Sequence, residues 1–196
     1  MEATLGILGK ESPLLTDLAR AYRLGHGSRW RRIAECVRAP GVHAVVVFRF
    51  GQWILQNAGL ARVVLDPIYH VLQLLVQAAW GIEISRRASI GPGLYIGHFG
   101  SIIVAPGTFI GVNCSLSQDV TIGVSGRGPG RGVPRIGDYV YVAPGARVFG
   151  RIRVGNHVKI GANAVVHRDI PDNAVVVLDP GFRILSFDGH RAEYED

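Results

Sequence analysis

The chain has 196 residues, of which 48% are hydrophobic and 26 are glycine, and this fits one or two compact domains. Its net charge of +6 admits a nucleic acid, a membrane surface or a phosphorylated ligand as a partner. Nucleic acid is the weakest of these, because the arginines form no recognised motif and are not interleaved with aromatic residues. Two cysteines are too few for a disulfide framework and favour a reduced, cytoplasmic setting.

The first 80 residues are predicted to form a helical region. Glycine and proline divide it into four segments that we expect to be helices, at residues 13–23, 29–38, 42–56 and 60–80. The opening ten residues lack the basic start, long apolar run and cleavage site of a signal peptide.

Residues 63–80 are the most apolar stretch of the chain. They include Asp66, Pro67 and His70, at depths that a bilayer interior disfavours. We therefore expect a helix packed within the protein and no transmembrane segment. Because residues 1–80 hold nine basic and five acidic side chains, peripheral contact with a membrane surface stays open.

A six-residue repeat follows the helical region. One set of aliphatic residues returns at every sixth position: Ile136, Val142, Val148, Val154, Ile160 and Val166. An earlier set has the same spacing and slips once by two residues: Ile84, Ile90, Ile96, Ile102, Val104, Ile110, Leu116 and Ile122. A helix would repeat apolar residues at three and four positions, and an amphipathic strand at two. A period of six, with glycine beside many of the aliphatic residues, predicts a parallel β-solenoid of triangular coils over residues 81–171.

Two segments depart from this repeat. Residues 124–135 are rich in glycine and arginine and are predicted to leave the solenoid as a loop. Residues 172–196 lose the repeat, and we expect them to fold back over the last coil before a frayed terminus. The predicted domains are therefore 1–80, 81–171 and 172–196.

One histidine is a candidate for catalysis. His98 lies in the segment 96–100 (IGHFG), where the six-residue spacing slips. Glu83 stands fifteen residues upstream, close to the length of one coil, which is about eighteen residues. A carboxylate beside an imidazole fixes its tautomer and raises its basicity, so we predict that this pair supplies a general base. No group of residues has the spacing of metal ligands, and no metal cofactor is expected.

Four segments of the solenoid carry a family resemblance: 81–84 (GIEI), 93–100 (GLYIGHFG), 117–123 (SQDVTIG) and 161–166 (GANAVV). Together they resemble the serine acetyltransferase branch of the hexapeptide-repeat acyltransferases, and most of all members that occur with polysaccharide biosynthesis enzymes. The likeness covers about residues 40–178. It includes the segment 48–53 (FRFGQW), which is similar to the pattern of aromatic residues, Arg and Trp in the family's last helices before the solenoid. It implies a mainly β fold, a left-handed parallel β-helix after an N-terminal α-helical region.

The resemblance also implies an activity, acyl transfer in a homotrimer. Acetyl-CoA would lie in the cleft between neighbouring solenoids, and the acceptor hydroxyl would approach His98. The imidazole then takes the hydroxyl proton, the oxygen attacks the thioester, and backbone N–H groups stabilise the oxyanion. Glu83 takes the position of the family's second catalytic residue, where Asp is usual.

Candidate contacts to CoA follow from the same resemblance. Small residues match positions that line the groove for the pantetheine arm, and two basic residues could meet the phosphates: Gly123, Ala143, Gly161 and Ala162, with Lys159 and Arg168. Backbone amides make most contacts with pantetheine, so an ordinary turn residue or a solvated charge explains each position equally well.

Two departures from serine acetyltransferases concern the acceptor. In those enzymes an Asp precedes the catalytic His, and an Arg-His-Pro run follows the loop. Here Gly97 precedes the histidine, and the run reads GVP at 132–134. The groups that would hold the ammonium and carboxylate of serine are therefore missing, and Val133 makes the pocket less polar.

The loop and the terminus differ as well. Arg127 and Arg131 supply planar hydrogen-bond donors suited to a hydroxyl-rich or anionic acceptor. Residues 194–196 (YED) lack the final Ile by which serine acetyltransferases dock into the sulfhydrylase of cysteine synthesis, so no cysteine synthase complex is expected.

The sequence thus predicts an acetyl-CoA-dependent O-acetyltransferase that acts on a hydroxyl of a sugar, a glycan precursor or a similar polar alcohol. Serine O-acetyltransferase is the alternative, favoured by overall likeness. A second alternative is a non-catalytic hexapeptide scaffold whose basic helical region anchors a partner, but it leaves the pairing of His98 and Glu83 unexplained.

Overall fold

Four helices form the N-terminal region of the computed structural model, which describes residues 12–57, 59–126 and 131–178. They are α1 (Pro13–Leu24), α2 (Arg29–Arg38), α3 (Pro40–Gln56) and α4 (Leu60–Trp80). Each lies within two residues of its predicted bounds. Helix α3 begins at Pro40 rather than at residue 42, because the fixed φ of proline suits the first helical position.

Helix α3 is the centre of the helical region. It packs against α1, α4 and the first coil of the solenoid, and its Phe48 is fully buried. Two glycines allow this close packing. A Cβ on Gly41 would lie 2.2 Å from the carbonyl oxygen of Ile96, and a Cβ on Gly51 would lie 2.3 Å from the ring of Tyr69.

Helix α4 is packed on one side only, which corrects the expectation of a helix enclosed by the protein. Tyr69 and Val76 are buried. Six large aliphatic side chains of the helix are exposed: Val63, Val64, Ile68, Val71, Leu74 and Leu75. The window Arg62–Trp80 is long and apolar enough to cross a membrane by length and composition, and 11% of it is buried. Asp66 forms an ion pair with Arg86 of the solenoid at 2.7 Å, which ties the helix to the first coil.

Short strands follow α4 through the rest of the described chain. Their bounds are β1 (Ile82–Ile84), β2 (Ser89–Ile90), β3 (Tyr95–Ile96), β4 (Ile102–Val104), β5 (Phe109–Ile110), β6 (Ser115–Leu116), β7 (Thr121–Gly123), β8 (Arg135–Ile136), β9 (Tyr141–Val142), β10 (Arg147–Phe149), β11 (Arg153–Val154), β12 (Lys159–Ile160), β13 (Val165–Val166) and β14 (Val175–Val176). They form three parallel sheets. The first sheet has the order β1-β4-β7-β10-β13, the second β2-β5-β8-β11 and the third β3-β6-β9-β12-β14. From β1 to β12, successive strands belong to the first, second and third sheet in turn, so each of these coils contributes one strand to each of three walls.

The register of the sheets reproduces the six-residue repeat. Ile136 pairs with Val154, and Val142 pairs with Ile160, in both cases eighteen positions further on. Every aliphatic residue of the repeat is buried, and the stacked side chains exclude water along the whole axis. The predicted fold class, a parallel β-solenoid after a helical region, is confirmed.

The loop and the end of the solenoid differ slightly from prediction. The loop ends one residue early because Arg135 already belongs to β8, and an antiparallel bridge between Ser125 and Gly132 closes its base. The solenoid continues beyond residue 171, since β14 pairs with β12 and places Val176 opposite Ile160. These partners are sixteen positions apart rather than eighteen, so counting in sixes misses the last strand.

Candidate active site

His98 lies in the bend 97–101 between β3 and β4, at the corner where the chain passes from the third sheet to the first. Two extra residues enlarge this bend, and Gly100 and Ser101 have φ of 110° and 51°. Positive φ also occurs at other turns of the solenoid, for example at Asn113 and Asp119, so it is the two extra residues that make the backbone here locally irregular. The imidazole is exposed and has no hydrogen bond or ion pair to another described residue. It is free to accept a proton from a ligand.

The bend around the histidine is held from two sides. The ring of Phe99 packs edge-on against Trp80, with centroids 5.6 Å apart, and the Trp80 ring lies 5.9 Å from that of His43. The carbonyl of Gly100 accepts the backbone N–H of Asp119 in the next coil at 2.7 Å. The ends of the helical region and the neighbouring coil therefore fix the backbone, while the imidazole stays open to solvent.

Glu83 is the middle residue of β1, and its exposed side chain points away from the core. Its register partner is Ile103 of β4, the strand into which the His98 bend leads. The structure therefore places the two residues on adjoining parts of neighbouring coils, in line with their spacing. No hydrogen bond or ion pair joins them among the described residues, so a side-chain movement is needed for the predicted pair to form.

A column of small residues runs along the same corner, starting beside His98. Its members directly follow strands of the third sheet: Gly97, Ser117, Ala143 and Gly161. The backbone N–H of each donates to a carbonyl of the next coil over 2.7–3.4 Å, so the four positions are stacked. Without long side chains, this corner gives an extended ligand a path along the coils that begins at the histidine.

Four of the residues predicted to contact CoA lie at or beside this column. Ala143 and Gly161 belong to it, and Ala162 follows as an exposed residue. Lys159 extends from β12 on the adjoining third sheet, with its Nζ 5.9 Å from the centre of the Tyr141 ring. The column and Lys159 together combine small contact positions with a cation.

The other two predicted CoA contacts lie at the opposite edge of the first sheet. Gly123 ends β7, and a Cβ there would lie 3.0 Å from the Phe149 ring, a tight contact. Arg168 follows β13 and is exposed. A single chain therefore does not bring Gly123 and Arg168 to the corner of His98.

Two of the three residues predicted to bind the acceptor lie at this opposite edge too. Arg131 and Val133 help to line a surface depression of about 490 Å³. Arg127 lies outside the described residues. Because the first sheet lies between this depression and His98, a site that combines both groups requires a second chain.

Gln118 is a candidate site residue that the sequence alone did not indicate. This residue follows Ser117 of the column, just as His98 follows Gly97 one coil earlier. Its Oε1 atom is buried and has no hydrogen-bond partner among the described residues. An unpaired buried oxygen costs free energy, so a turn of this half-buried side chain that brings the oxygen to a hydrogen-bond donor of a ligand would be favourable. A polar residue directly after a column position is the signal that identifies it.

Comparisons with known proteins give one consistent result. Serine acetyltransferase from Synechococcus elongatus is 34% identical over 154 residues, which are 79% of this chain and 60% of that protein. The enzyme of Helicobacter pylori strain 26695 is 36% identical over 141 residues, or 70% of this chain and 77% of that protein. The chain belongs to the serine acetyltransferase family. No family model matches the chain.

Solved structures of serine acetyltransferases share the fold. The Neisseria gonorrhoeae enzyme in complex with serine has a TM-score of 0.69 and 29% identity, covering 85% of this chain and 66% of that one. Isoform 3 from Entamoeba histolytica in complex with cysteine has a TM-score of 0.69 and 26% identity, covering 88% and 59%. The solenoid is thus the left-handed β-helix of the serine acetyltransferase family, as the resemblance implied.

The similarity to these relatives covers only part of their length. This member of the serine acetyltransferase family spans about 60% of the length of the Synechococcus elongatus relative. The relatives are acetyltransferases, in agreement with the predicted enzyme class and with acetyl-CoA as co-substrate. The names of these relatives give serine as their own acceptor and carry no association with polysaccharide biosynthesis.

Proposed function

We propose that the protein transfers the acetyl group of acetyl-CoA to the hydroxyl of L-serine, with His98 as general base. One observation carries this proposal: an open imidazole stands in an irregular bend at the head of the small-residue column. Irregular backbone on a rigid scaffold is where functional groups collect. The names of the relatives support both the donor class and the acceptor.

The chemistry requires one proton acceptor and one site for negative charge. The imidazole of His98 takes the proton from the acceptor hydroxyl, and the oxygen attacks the thioester carbonyl. Backbone N–H groups stabilise the oxyanion, the C–S bond breaks, and the proton passes from the imidazolium to the CoA thiolate. No covalent intermediate on the enzyme is needed. Glu83, moved into contact, stabilises the imidazolium during this step.

The complete site is proposed to form between chains of a homotrimer. His98 and the column occupy one edge of the first sheet, and Gly123, Arg131 and Arg168 occupy the other. Head-to-tail association about a threefold axis places one edge of a chain beside the opposite edge of its neighbour. Light scattering should give a mass of three times the 21.2 kDa chain, and a monomer that retains activity would contradict the shared site.

A sugar hydroxyl is the second candidate acceptor, favoured by two positions. Gly97 beside His98 offers no carboxylate, and Val133 offers no hydrogen-bonding side chain beyond the loop. Charge-assisted hydrogen bonds contribute roughly 1.5–3 kcal/mol each, so their loss weakens the grip on an amino acid. A bulky saccharide depends less on those contacts.

A single assay separates the two acceptors. Release of CoA from acetyl-CoA is followed with L-serine, L-homoserine, nucleotide sugars and oligosaccharides, and His98→Ala serves as the control for background hydrolysis. The proposal expects the highest kcat/KM with L-serine. A higher kcat/KM with a saccharide would show that a sugar hydroxyl is the acceptor. If neither class of acceptor stimulates CoA release, the proposal that the protein is an acetyltransferase is wrong.

A further inference from the structure

Helix α2 directs an apolar stripe away from the protein. Trp30, Ile33 and Val37 succeed one another at three and four positions, and they are 70%, 41% and 68% exposed. Ala34 lies beside them and is also exposed, and no residue of the helix is buried. In a globular protein such a stripe normally faces the core. Here the stripe is exposed to solvent, so we expect it to be covered by a binding partner.

The polar side of α2 makes the contacts with the protein. The guanidinium of Arg32 lies 5.0 Å from the centre of the Tyr22 ring. The carboxylate of Glu35 accepts the Nε–H of Arg31 at 3.1 Å and the backbone N–H of His26 at 3.3 Å. The Arg31 contact lies within the helix, but those of Arg32 with Tyr22 and of Glu35 with His26 turn this side of α2 toward the protein, so the exposure of the stripe is part of the fold.

Arginines border the stripe on both sides. At 100° per residue, Arg29 and Arg38 fall on either side of the arc that holds Trp30, Ile33 and Val37. The helix carries four arginines against one glutamate, and the guanidinium of Arg29 lies 5.1 Å from the centre of the Trp30 ring. An apolar stripe with Trp and flanking cations is the pattern of a helix that lies in the plane of a membrane interface.

We propose that α2 binds an anionic lipid surface in this orientation. Trp30, Ile33 and Val37 enter the boundary between headgroups and acyl chains, and Arg29 and Arg38 contact lipid phosphates. Charge selects lipid over a second copy of the chain, because a twofold contact between two such stripes would bring arginines against arginines. The surface lies outside the candidate active site, so it does not depend on the identity of the acceptor.

The test is co-sedimentation of the full chain with lipid vesicles. Vesicles of phosphatidylcholine with about 30% phosphatidylglycerol should bind the protein at ~0.1 M NaCl and release it at ~1 M, because the attraction is screened. Vesicles of pure phosphatidylcholine should bind it at least tenfold more weakly, by the estimate of about fivefold for each arginine near the surface. The part of the tryptophan fluorescence that is lost in Trp30→Ser should shift to shorter wavelength on binding.

Two α2 variants decide the assignment. Trp30→Ser with Val37→Ser removes the stripe, and Arg29→Gln with Arg38→Gln removes the flanking charge. Each should lower vesicle binding about tenfold or more, with unchanged circular dichroism and unchanged CoA release. Matched controls are Val177→Ser and Arg87→Gln, an exposed aliphatic residue and an exposed arginine of the solenoid, which should bind like the wild type.

The exposed apolar face of α4 provides the competing explanation. Val71→Ser with Leu74→Ser reduces that face and should leave vesicle binding within about twofold of wild type. The proposal is overturned if the α2 variants bind as well as wild type, or if pure phosphatidylcholine vesicles bind equally well. A drop in oligomer mass caused by Trp30→Ser would instead show that a second copy covers the stripe, and would overturn it too.

Discussion

Asp17 and Arg49 form a buried ion pair that fastens the helical region to the solenoid. The carboxylate of Asp17 on α1 accepts the Nε–H of Arg49 on α3 at 2.7 Å. It also accepts the backbone N–H groups of Gly93 and Leu94 at 2.7 and 2.8 Å. The guanidinium donates to the carbonyl of Ile90 at 2.7 Å. One pair of side chains thus joins two helices and the turn between β2 and β3.

Removing one member of this pair should destabilise the protein strongly. In Asp17→Ala, the buried Arg49 keeps its charge without a counterion, and two backbone N–H groups lose their acceptor. We expect the free energy of unfolding to fall by about 3–5 kcal/mol, measured by urea denaturation. Asp66→Ala is the control, because its ion pair with Arg86 is partly exposed and should matter much less. Equal losses in the two variants would contradict the anchoring role.

Glu83 can be tested by two substitutions of graded severity. Glu83→Gln keeps a group that can orient the imidazole but cannot stabilise the imidazolium, so kcat should fall while KM for acetyl-CoA stays the same. Glu83→Asp keeps the carboxylate and should retain most of the activity. Full activity in Glu83→Gln would reduce Glu83 to an ordinary exposed strand residue.

Gln118 is expected to contact the acceptor. Its unpaired buried oxygen lies one residue beyond the column, at the same corner as His98. Gln118→Leu removes that oxygen and should raise KM for the acceptor about fivefold, the equivalent of a neutral hydrogen bond near 1 kcal/mol. KM for acetyl-CoA should not change, and stability should not fall. A loss of thermal stability at unchanged KM would assign the residue a purely structural role.

The two free thiols should differ in reactivity. Burial raises the pKa of Cys114 to about 11, and its Sγ donates to the carbonyl of Gly137 at 3.2 Å. Desolvation and the charge of Glu35 also raise the pKa of Cys36, but that side chain is half-buried rather than enclosed. At pH 8, about one buried Cys114 in a thousand is thiolate. A chromogenic disulfide should therefore titrate one thiol per native chain and two in denaturant, and two native thiols would show that the core opens.

The sequence predicts the solenoid well because its core obeys a local rule. A triangular coil needs an aliphatic residue at every sixth position. The spacing of residues such as Ile136 and Val142 therefore reveals the repeat, and no long-range contact has to be known. The rule fails before β14, because Ile170, which bridges to Val154, follows Val166 after four positions rather than six. The lost positions shorten the last coil by two residues.

Long-range features escaped prediction for a physical reason. Asp17 resembles any polar helix residue until the turn at Gly93 is folded against it. The exposure of α4 depends on which side α3 covers, which apolar composition does not determine. The site shows the same limit: spacing relates His98 to Glu83, but only the strand order shows that Arg131 lies across the first sheet.

The central claim, that His98 is the general base for acetyl transfer, is tested most directly by the steady-state rate of CoA release in His98→Ala. The substitution removes an exposed imidazole and leaves the stacked core intact, so the protein should keep its circular dichroism and its oligomer mass. We expect kcat with L-serine to fall by roughly 10²–10⁴. A folded variant that turns over at the wild-type rate would contradict the account.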